Sequence, residues 1–167
     1  YQGYGLTETS PVVAANNDFI NVFGSIGHPV ADVEVTIDNP DANGMGEILT
    51  RGENVMLGYY ENDDATREVM EHDGWFHTGD LGTIDQNGVI RITGRAKSMI
   101  VLANGKKAFP EEFEMLLANI TGVRDAFAWG YRTADGGVQI CAKLVRDKDA
   151  LKAANDGVMP TDEACAA

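Results

Sequence analysis

Four short stretches of this chain hold side chains that can do chemistry. Tyr4-Gly5-Leu6-Thr7-Glu8 places an aromatic ring, a permissive glycine, a hydroxyl and a carboxylate within five positions. A nucleotide pocket needs such parts: a flat apolar face for a purine, backbone groups near its edge, and an acid that holds Mg²⁺ against phosphate oxygens. Thr78-Gly79-Asp80 reads as a tight turn presenting a carboxylate at the start of a strand. An ionised carboxylate only accepts hydrogen bonds, so it matches the two donors of a ribose diol. Arg95 to Lys97 makes a basic step in the chain, and Asn104-Gly105-Lys106-Lys107 makes a glycine turn followed by two cations. Each stretch also has a plainer reading. The first is a Ser/Thr-rich turn with a solvated acid, Asp80 a turn-capping aspartate, Arg95 and Lys97 surface charges, and Gly105 an ordinary turn glycine.

The elements that must position these groups follow from periodicity. Residues 33–37 alternate with period two and read as a strand. The turn formers Asn39-Pro40-Asp41-Ala42-Asn43-Gly44 follow, and residues 46–52 supply the return strand. Asn62 and Asp63 suit the cap of a helix over residues 65–71, ended by Gly74. Residues 81–85 and 89–93 flank Gln86-Asn87-Gly88, and Asn-Gly tolerates the positive φ of a tight hairpin turn. Character changes near Arg95. Beyond it come a short apolar strand over 99–102 and a helix opened by Pro110, with Glu111 and Glu112 near the positive end of its dipole. Phe113, Leu116, Leu117 and Ile120 fall on one face at helical spacing. Two strands, 122–132 and 138–145, complete a β-β-α-β-β order.

Composition narrows the class. A chain of 167 residues with 44% apolar content can bury a core as one ordinary domain or two small ones. A net charge of -13 argues against a nucleic-acid surface, which needs a positive field. No stretch has the length of a membrane span, and no leader pattern points to export. Cys141 and Cys165 are too few for a disulfide framework and lack metal-ligand spacing. The expected location is cytoplasmic with reduced thiols, peripheral membrane attachment being left open.

The run from Gly94 to Glu114, taken with Tyr4-Gly5-Leu6-Thr7-Glu8 and Phe76-His77-Thr78-Gly79-Asp80-Leu81-Gly82, closely resembles the adenylate-forming enzymes. These are the acyl- and aryl-CoA synthetases, the adenylation domains of peptide synthetases, and the luciferases. The stretch Ile100-Val101-Leu102-Ala103-Asn104-Gly105-Lys106-Lys107 with Pro110-Glu111-Glu112 looks most like bacterial long-chain fatty-acyl-CoA ligases. The resemblance implies an α+β architecture, with a β-rich tail of a large AMP-binding domain over residues 1–94 and a small lid domain over 95–167. It implies that ATP, Mg²⁺ and coenzyme A take part, with a carboxylic acid, expected to be a fatty acid, as substrate.

By the same resemblance, Tyr4 stacks on adenine with Gly5 beside it, Thr7 contacts phosphate and Glu8 binds the magnesium ion. Asp80 takes the ribose hydroxyls, with Arg95 as a second contact. Lys97 is the hinge between two lid orientations, and Gly105 clears the path of the pantetheine thiol. Lys107 could meet acyl or nucleotide groups. Thr9, Ser10 and Pro11 are expected along one wall of the acyl pocket. His28, His72 and His77 are not at positions this family uses for chemistry, and read as surface or packing residues.

The Ser/Thr/Gly-rich phosphate loop and the far C-terminal catalytic lysine of the family have no counterpart here; no lysine follows Lys152. Both ends read as cut, with Pro160-Thr161-Asp162-Glu163 opening a helix just before the chain stops. The expectation is a fragment, inactive alone, whose apolar strand faces over 33–37 and 48–49 lie exposed and favour self-association. A peptide-synthetase adenylation domain, luciferase-type oxygenation, and a binding or regulatory fragment that catalyses nothing stay open as alternatives.

Overall fold

A computed structural model describes residues 1–102, 104–134 and 136–156. They form two compact units, Tyr1–Lys97 and the residues from Ser98 onward, and each is described by itself.

The first unit is built from two antiparallel meanders. Strands β1 (Gly3–Gly5), β2 (Val12–Ala15) and β3 (His28–Pro29) pair in chain order. Strands β4 (Val33–Asp38), β5 (Gly46–Gly52), β6 (Phe76–Ile84) and β7 (Ile90–Arg95) do the same, with helix α1 (Asp63–Val69) between β5 and β6. The β4–β5 turn is set by Asp41, whose Oδ1 accepts from the backbone N–H of Asn43 at 2.8 Å and of Met45 at 3.2 Å. Register then runs from Asp38 opposite Glu47 to Val33 opposite Gly52.

Val13, Ala14, Ile26, Ile48 and Ile90 form the centre of the core, with Tyr4, Val35 and Ile84 among the side chains packed on it. Ile48 is 0% exposed and Leu49 5%. This corrects the expectation of open strand faces at 33–37 and 48–49. β5 is an interior strand, flanked by β4 and β6, and Val33, Val35 and Ile37 lie against the core.

Helix α1 starts two residues before its expected position, with Asn62 Oδ1 accepting from Ala65 N–H at 3.1 Å as the cap. It also ends early, because Met70 turns extended and pairs with Phe76. The β6–β7 turn closes over three residues. Gly88 alone of Gln86, Asn87 and Gly88 has positive φ, at 79°, while Asp85 Oδ1 accepts from Asn87 and Val89 N–H. That is a type I turn ending in a left-handed glycine, not a two-residue turn with two positive φ values.

The second unit follows the expected order. Strands β8 (Ile100–Val101) and β9 (Lys107–Ala108) form a small hairpin, helix α2 (Pro110–Ala118) follows, and β10 (Val123–Arg132) pairs with β11 (Val138–Arg146). Pro110 occupies the first helical turn. Ile100, Ala108, Phe109 and Ala128 are buried. Leu116 and Ile120, however, are 65% and 52% exposed. The helix ends at Ala118 and presents only the Phe113 and Leu117 side of the expected stripe as partly buried, since a two-stranded ribbon is too narrow to cover the rest. A third helix, α3 (Lys148–Ala154), is absent from the sequence reading. Asp147 caps it by accepting from Asp149 and Ala150 N–H, and donates its own N–H to Gly122 O. The helix opening expected at 160–163 lies outside the described residues. Among those described, no helix is long and apolar enough to cross a membrane.

Candidate functional site

Thr78-Gly79-Asp80 does not sit at the start of a strand. It lies within the nine-residue β6, at a break in the β5–β6 register. Gly79 has φ of 74°, which only glycine adopts readily, and the resulting bulge re-aims the residue after it. Asp80 is buried, and both of its oxygens are held. Oδ2 accepts the Tyr4 hydroxyl at 2.6 Å, and Oδ1 lies 3.2 Å from Arg95 Nε. Asp80 and Arg95 are also directly opposed across β6 and β7. The Asp80 side chain is 6% exposed against 63% for Arg95, so the pair carries charge from the interior to the surface. Arg95 is therefore a partner of Asp80 and not a free surface charge.

Tyr4 reaches this carboxylate from β1. Burial, and next the hydrogen bond to Asp80, push its pKa well above the ordinary tyrosine value, so the phenol stays protonated and donates. Gly5 follows at a close crossing. A Cβ there would meet Pro11 O at 1.6 Å, which excludes every side chain. A 3₁₀ turn, Thr7–Thr9, then presents Thr7 outward and Glu8 half-buried. Glu8 is fixed at two points: its carbonyl accepts Met56 N–H at 2.8 Å and its Oε1 accepts the Tyr59 hydroxyl at 3.0 Å. Thr9 is 0% exposed, with its hydroxyl on Leu6 and Pro11 backbone atoms, so it staples the turn and offers nothing to a substrate wall.

A cleft of about 660 Å³ brings these elements together within the first unit. Gly5, Thr7, Glu8, Arg95 and Lys97 line it, along with Tyr59, Glu47 and residues 76–79. Tyr4 and Asp80 are not among the lining residues; Asp80 is joined to the cleft through Arg95. A larger hollow of about 800 Å³, bounded by Glu34, Arg51, Met56 and Met70, holds none of the residues singled out in the sequence. Lys97 lies in a single 3₁₀ turn, Ala96–Ser98, and is exposed. Gly105 belongs to the second unit, in the β8–β9 turn, with φ of 78° and open space around any added Cβ. Backbone conformation alone calls for glycine there.

Sequence reasoning gave no role in the site to three cleft residues: Tyr59 and Glu47 went unremarked, and His77 was read as a surface or packing residue. Tyr59 orients Glu8. Glu47 accepts Gly79 N–H through Oε1 at 2.9 Å and lies 3.0 Å from His77 Nδ1 through Oε2. His77 Nε2 is in turn 3.1 Å from Glu71. His77 is thus no ordinary surface residue. Burial lowers its pKa, but the hydrogen bonds with Glu47 and Glu71 outweigh it and the net shift is upward. No local signal marks these pairings, since Glu47 and His77 are 30 positions apart.

Among the described residues, no group of three or more His, Cys, Asp or Glu side chains is arranged to hold a metal ion. Glu8 offers a single oriented carboxylate. Mg²⁺ commonly takes one or two protein carboxylates and fills its shell with phosphate and water. One carboxylate fits a metal that arrives on a phosphate chain. Asp80 likewise keeps acceptor capacity, because an ionised carboxylate has about four acceptor positions and two are in use.

Residues 1–60 match the family described as AMP-binding enzyme. Over 156 residues the chain is 38% identical to a long-chain-fatty-acid–CoA ligase of Salmonella typhimurium, covering 90% of this chain and 28% of the ligase. Over 128 residues it is 44% identical to the chloroplastic long-chain-fatty-acid–[acyl-carrier-protein] ligase AEE15 of Arabidopsis thaliana, covering 67% of this chain and 18% of that protein. Its structure is similar to the o-succinylbenzoate CoA synthetase MenE of Bacillus subtilis in complex with its acyl-adenylate intermediate, with a TM-score of 0.81 and 29% identity over 88% of this chain and 31% of that one. The chain belongs to the adenylate-forming, AMP-binding superfamily. Within it, the chain spans less than a third of the length of these relatives, and the fatty-acid–CoA ligase is among those it is similar to.

Proposed function

We propose that this chain is part of an ATP-dependent ligase that activates a carboxylic acid as its acyl-adenylate and passes the acyl group to coenzyme A. The observation that carries this reading is the buried Asp80 carboxylate, held between Tyr4 and Arg95 beside a cleft that contains Thr7 and Glu8. In this reading Asp80 accepts two hydrogen bonds from the ribose diol of ATP through its remaining acceptor positions, and Arg95 keeps the carboxylate ionised and aimed. Thr7 borders the phosphates, and Gly5 lies beside Tyr4 on the adenine side. Tyr4, fixed by its hydrogen bond, gives its ring to the adenine side.

Glu8 would hold Mg²⁺, which when bound offsets phosphate charge during attack at the α-phosphorus. Tyr59 donates to one Glu8 oxygen and so sets the direction of the other. Lys97 is the hinge about which the lid, residues 95–167, changes orientation, and the Gly105 turn would then border the thiol's path. A fatty acid is the preferred substrate class, supported by the names of the relatives above. Coenzyme A is the preferred acceptor, supported by the bacterial ligase.

The test uses the complete protein that carries this segment. Acid-dependent ATP–pyrophosphate exchange is expected with fatty acids, followed by CoA-dependent release of AMP. Absence of exchange across short, medium, long and aromatic acids would sink the reading. The 167-residue chain alone is expected to give no exchange, since it lacks the family's phosphate loop and C-terminal lysine.

A further inference from the structure

The turn that precedes Asp80 is held by a residue, Glu47, that was given no role in the sequence analysis. At the β5–β6 register break, regular pairing lapses between Glu47 and Leu49, and Gly79 leaves the extended conformation. A half-buried N–H released from a ladder needs another acceptor. The Glu47 carboxylate supplies it, with Oε1 2.9 Å from Gly79 N. The other Glu47 oxygen is tied to His77, and His77 to Glu71. Beside this, Thr78 Oγ1 donates to Ile48 O at 2.7 Å and accepts Asp80 N–H at 3.1 Å. The three residues up to Asp80 are therefore pinned, one after another, by side-chain hydrogen bonds.

We propose that Glu47 is a positioning residue for Asp80: it holds the Gly79 bulge in the form that turns the Asp80 carboxylate toward a ribose diol, with His77 and Glu71 fixing the Glu47 rotamer. This rests on the reading of Asp80 as the ribose ligand. Glu47 acts here without touching the nucleotide, because its part is to hold Gly79 N–H through one oxygen while the other meets His77.

The test compares the binding of AMP and of 2′,3′-dideoxyadenosine monophosphate to the complete protein by calorimetry. The wild type is expected to prefer AMP. Asp80→Ala should abolish that preference. Glu47→Ala should weaken AMP by about tenfold while leaving the dideoxy ligand within about twofold, the size of one lost charge-assisted hydrogen bond. Glu47→Gln keeps an acceptor for Gly79 N–H and should retain most of the preference, while the His77 pKa read by imidazole NMR falls. Glu47→Asp withdraws the acceptor by one methylene and should lose the preference, which keeps the test open should Glu47→Ala not fold.

If Asp80→Ala leaves the preference intact, the ribose reading falls and the Glu47 role with it. If Asp80→Ala removes the preference but Glu47→Ala and Glu47→Asp keep it, the positioning role alone is overturned. Equal weakening of both ligands by the Glu47 variants would overturn it too, because a residue that only supports the fold does not discriminate a diol.

Discussion

Tyr4 donates its hydroxyl hydrogen to Oδ2 of Asp80 across 2.6 Å, joining residues 76 positions apart in the chain. The bond ties β1 of one meander to β6 of the other, and it places an aromatic ring and a buried carboxylate of two separate motifs in one constellation.

Replacing Tyr4 with Phe should leave one oxygen of a buried carboxylate without its donor. The expected cost to stability is about 1–3 kcal/mol, the usual range for orphaning a buried polar group. Chemical denaturation of wild type and Tyr4→Phe checks it. Spectroscopic titration adds a second readout: Tyr4 should resist ionisation at alkaline pH where ordinary tyrosines titrate. Because its folded pKa is raised, its contribution to stability is full below about pH 10 and is lost as pH climbs toward the folded value. A normal titration of every tyrosine would contradict the bond.

Gly79 and Gly5 should fail for different reasons. An added Cβ at Gly79 has nothing within 4 Å, so Gly79→Ala meets only the left-handed φ, a cost of roughly 1–2 kcal/mol. Gly79→Asn should cost less, since asparagine visits that region more readily. At Gly5 the Cβ would meet a backbone oxygen at 1.6 Å, so Gly5→Ala must displace the crossing with Pro11 and should cost more than Gly79→Ala. Thermal melts of the three variants rank them. A Gly5→Ala protein as stable as wild type would show that the crossing relaxes freely.

His77 should make stability depend on pH. Its folded pKa is raised above the ordinary value, with burial opposing and the Glu47 and Glu71 hydrogen bonds prevailing. The linked stability is therefore fully present below about pH 6.5 and is lost as pH rises through the raised folded value. The difference in unfolding free energy between wild type and His77→Gln should shrink from pH 5.5 to pH 8.5. A constant difference across that range would mean that the three side chains are not coupled by charge.

The proposed hinge separates two half-reactions. In the complete protein, Lys97→Pro fixes φ and removes a donor, so adenylation measured by pyrophosphate exchange should survive while acyl-CoA formation collapses. Gly105→Trp should give the same split by a different route, filling the path proposed for the thiol in a turn that already requires positive φ. Equal loss of both half-reactions in both variants would reduce these residues to folding roles.

The chain's own order of residues determined its local structure. Alternation gave the β4–β5 pair, Asp41 and Gly44 their turn, Asn62 the cap of α1, and Pro110 the start of α2, because each signal acts within a few residues of itself. Tyr4-Gly5-Leu6-Thr7-Glu8 and Thr78-Gly79-Asp80 were likewise legible as chemistry, since residue type and spacing are carried in the string. Tertiary structure decided what those groups touch. Only sheet register opposes Asp80 to Arg95, only the packing of two meanders brings Tyr4 onto Asp80, and only a bulge at Gly79 calls Glu47 into use. It also decided burial, hiding Ile48 inside an interior strand, leaving Leu116 exposed on α2 and Ile120 exposed past the end of that helix, where the period suggested cover for both. Periodicity reports which side chains share a face. Whether that face meets a neighbour wide enough to cover it depends on contacts made by residues far away in the chain.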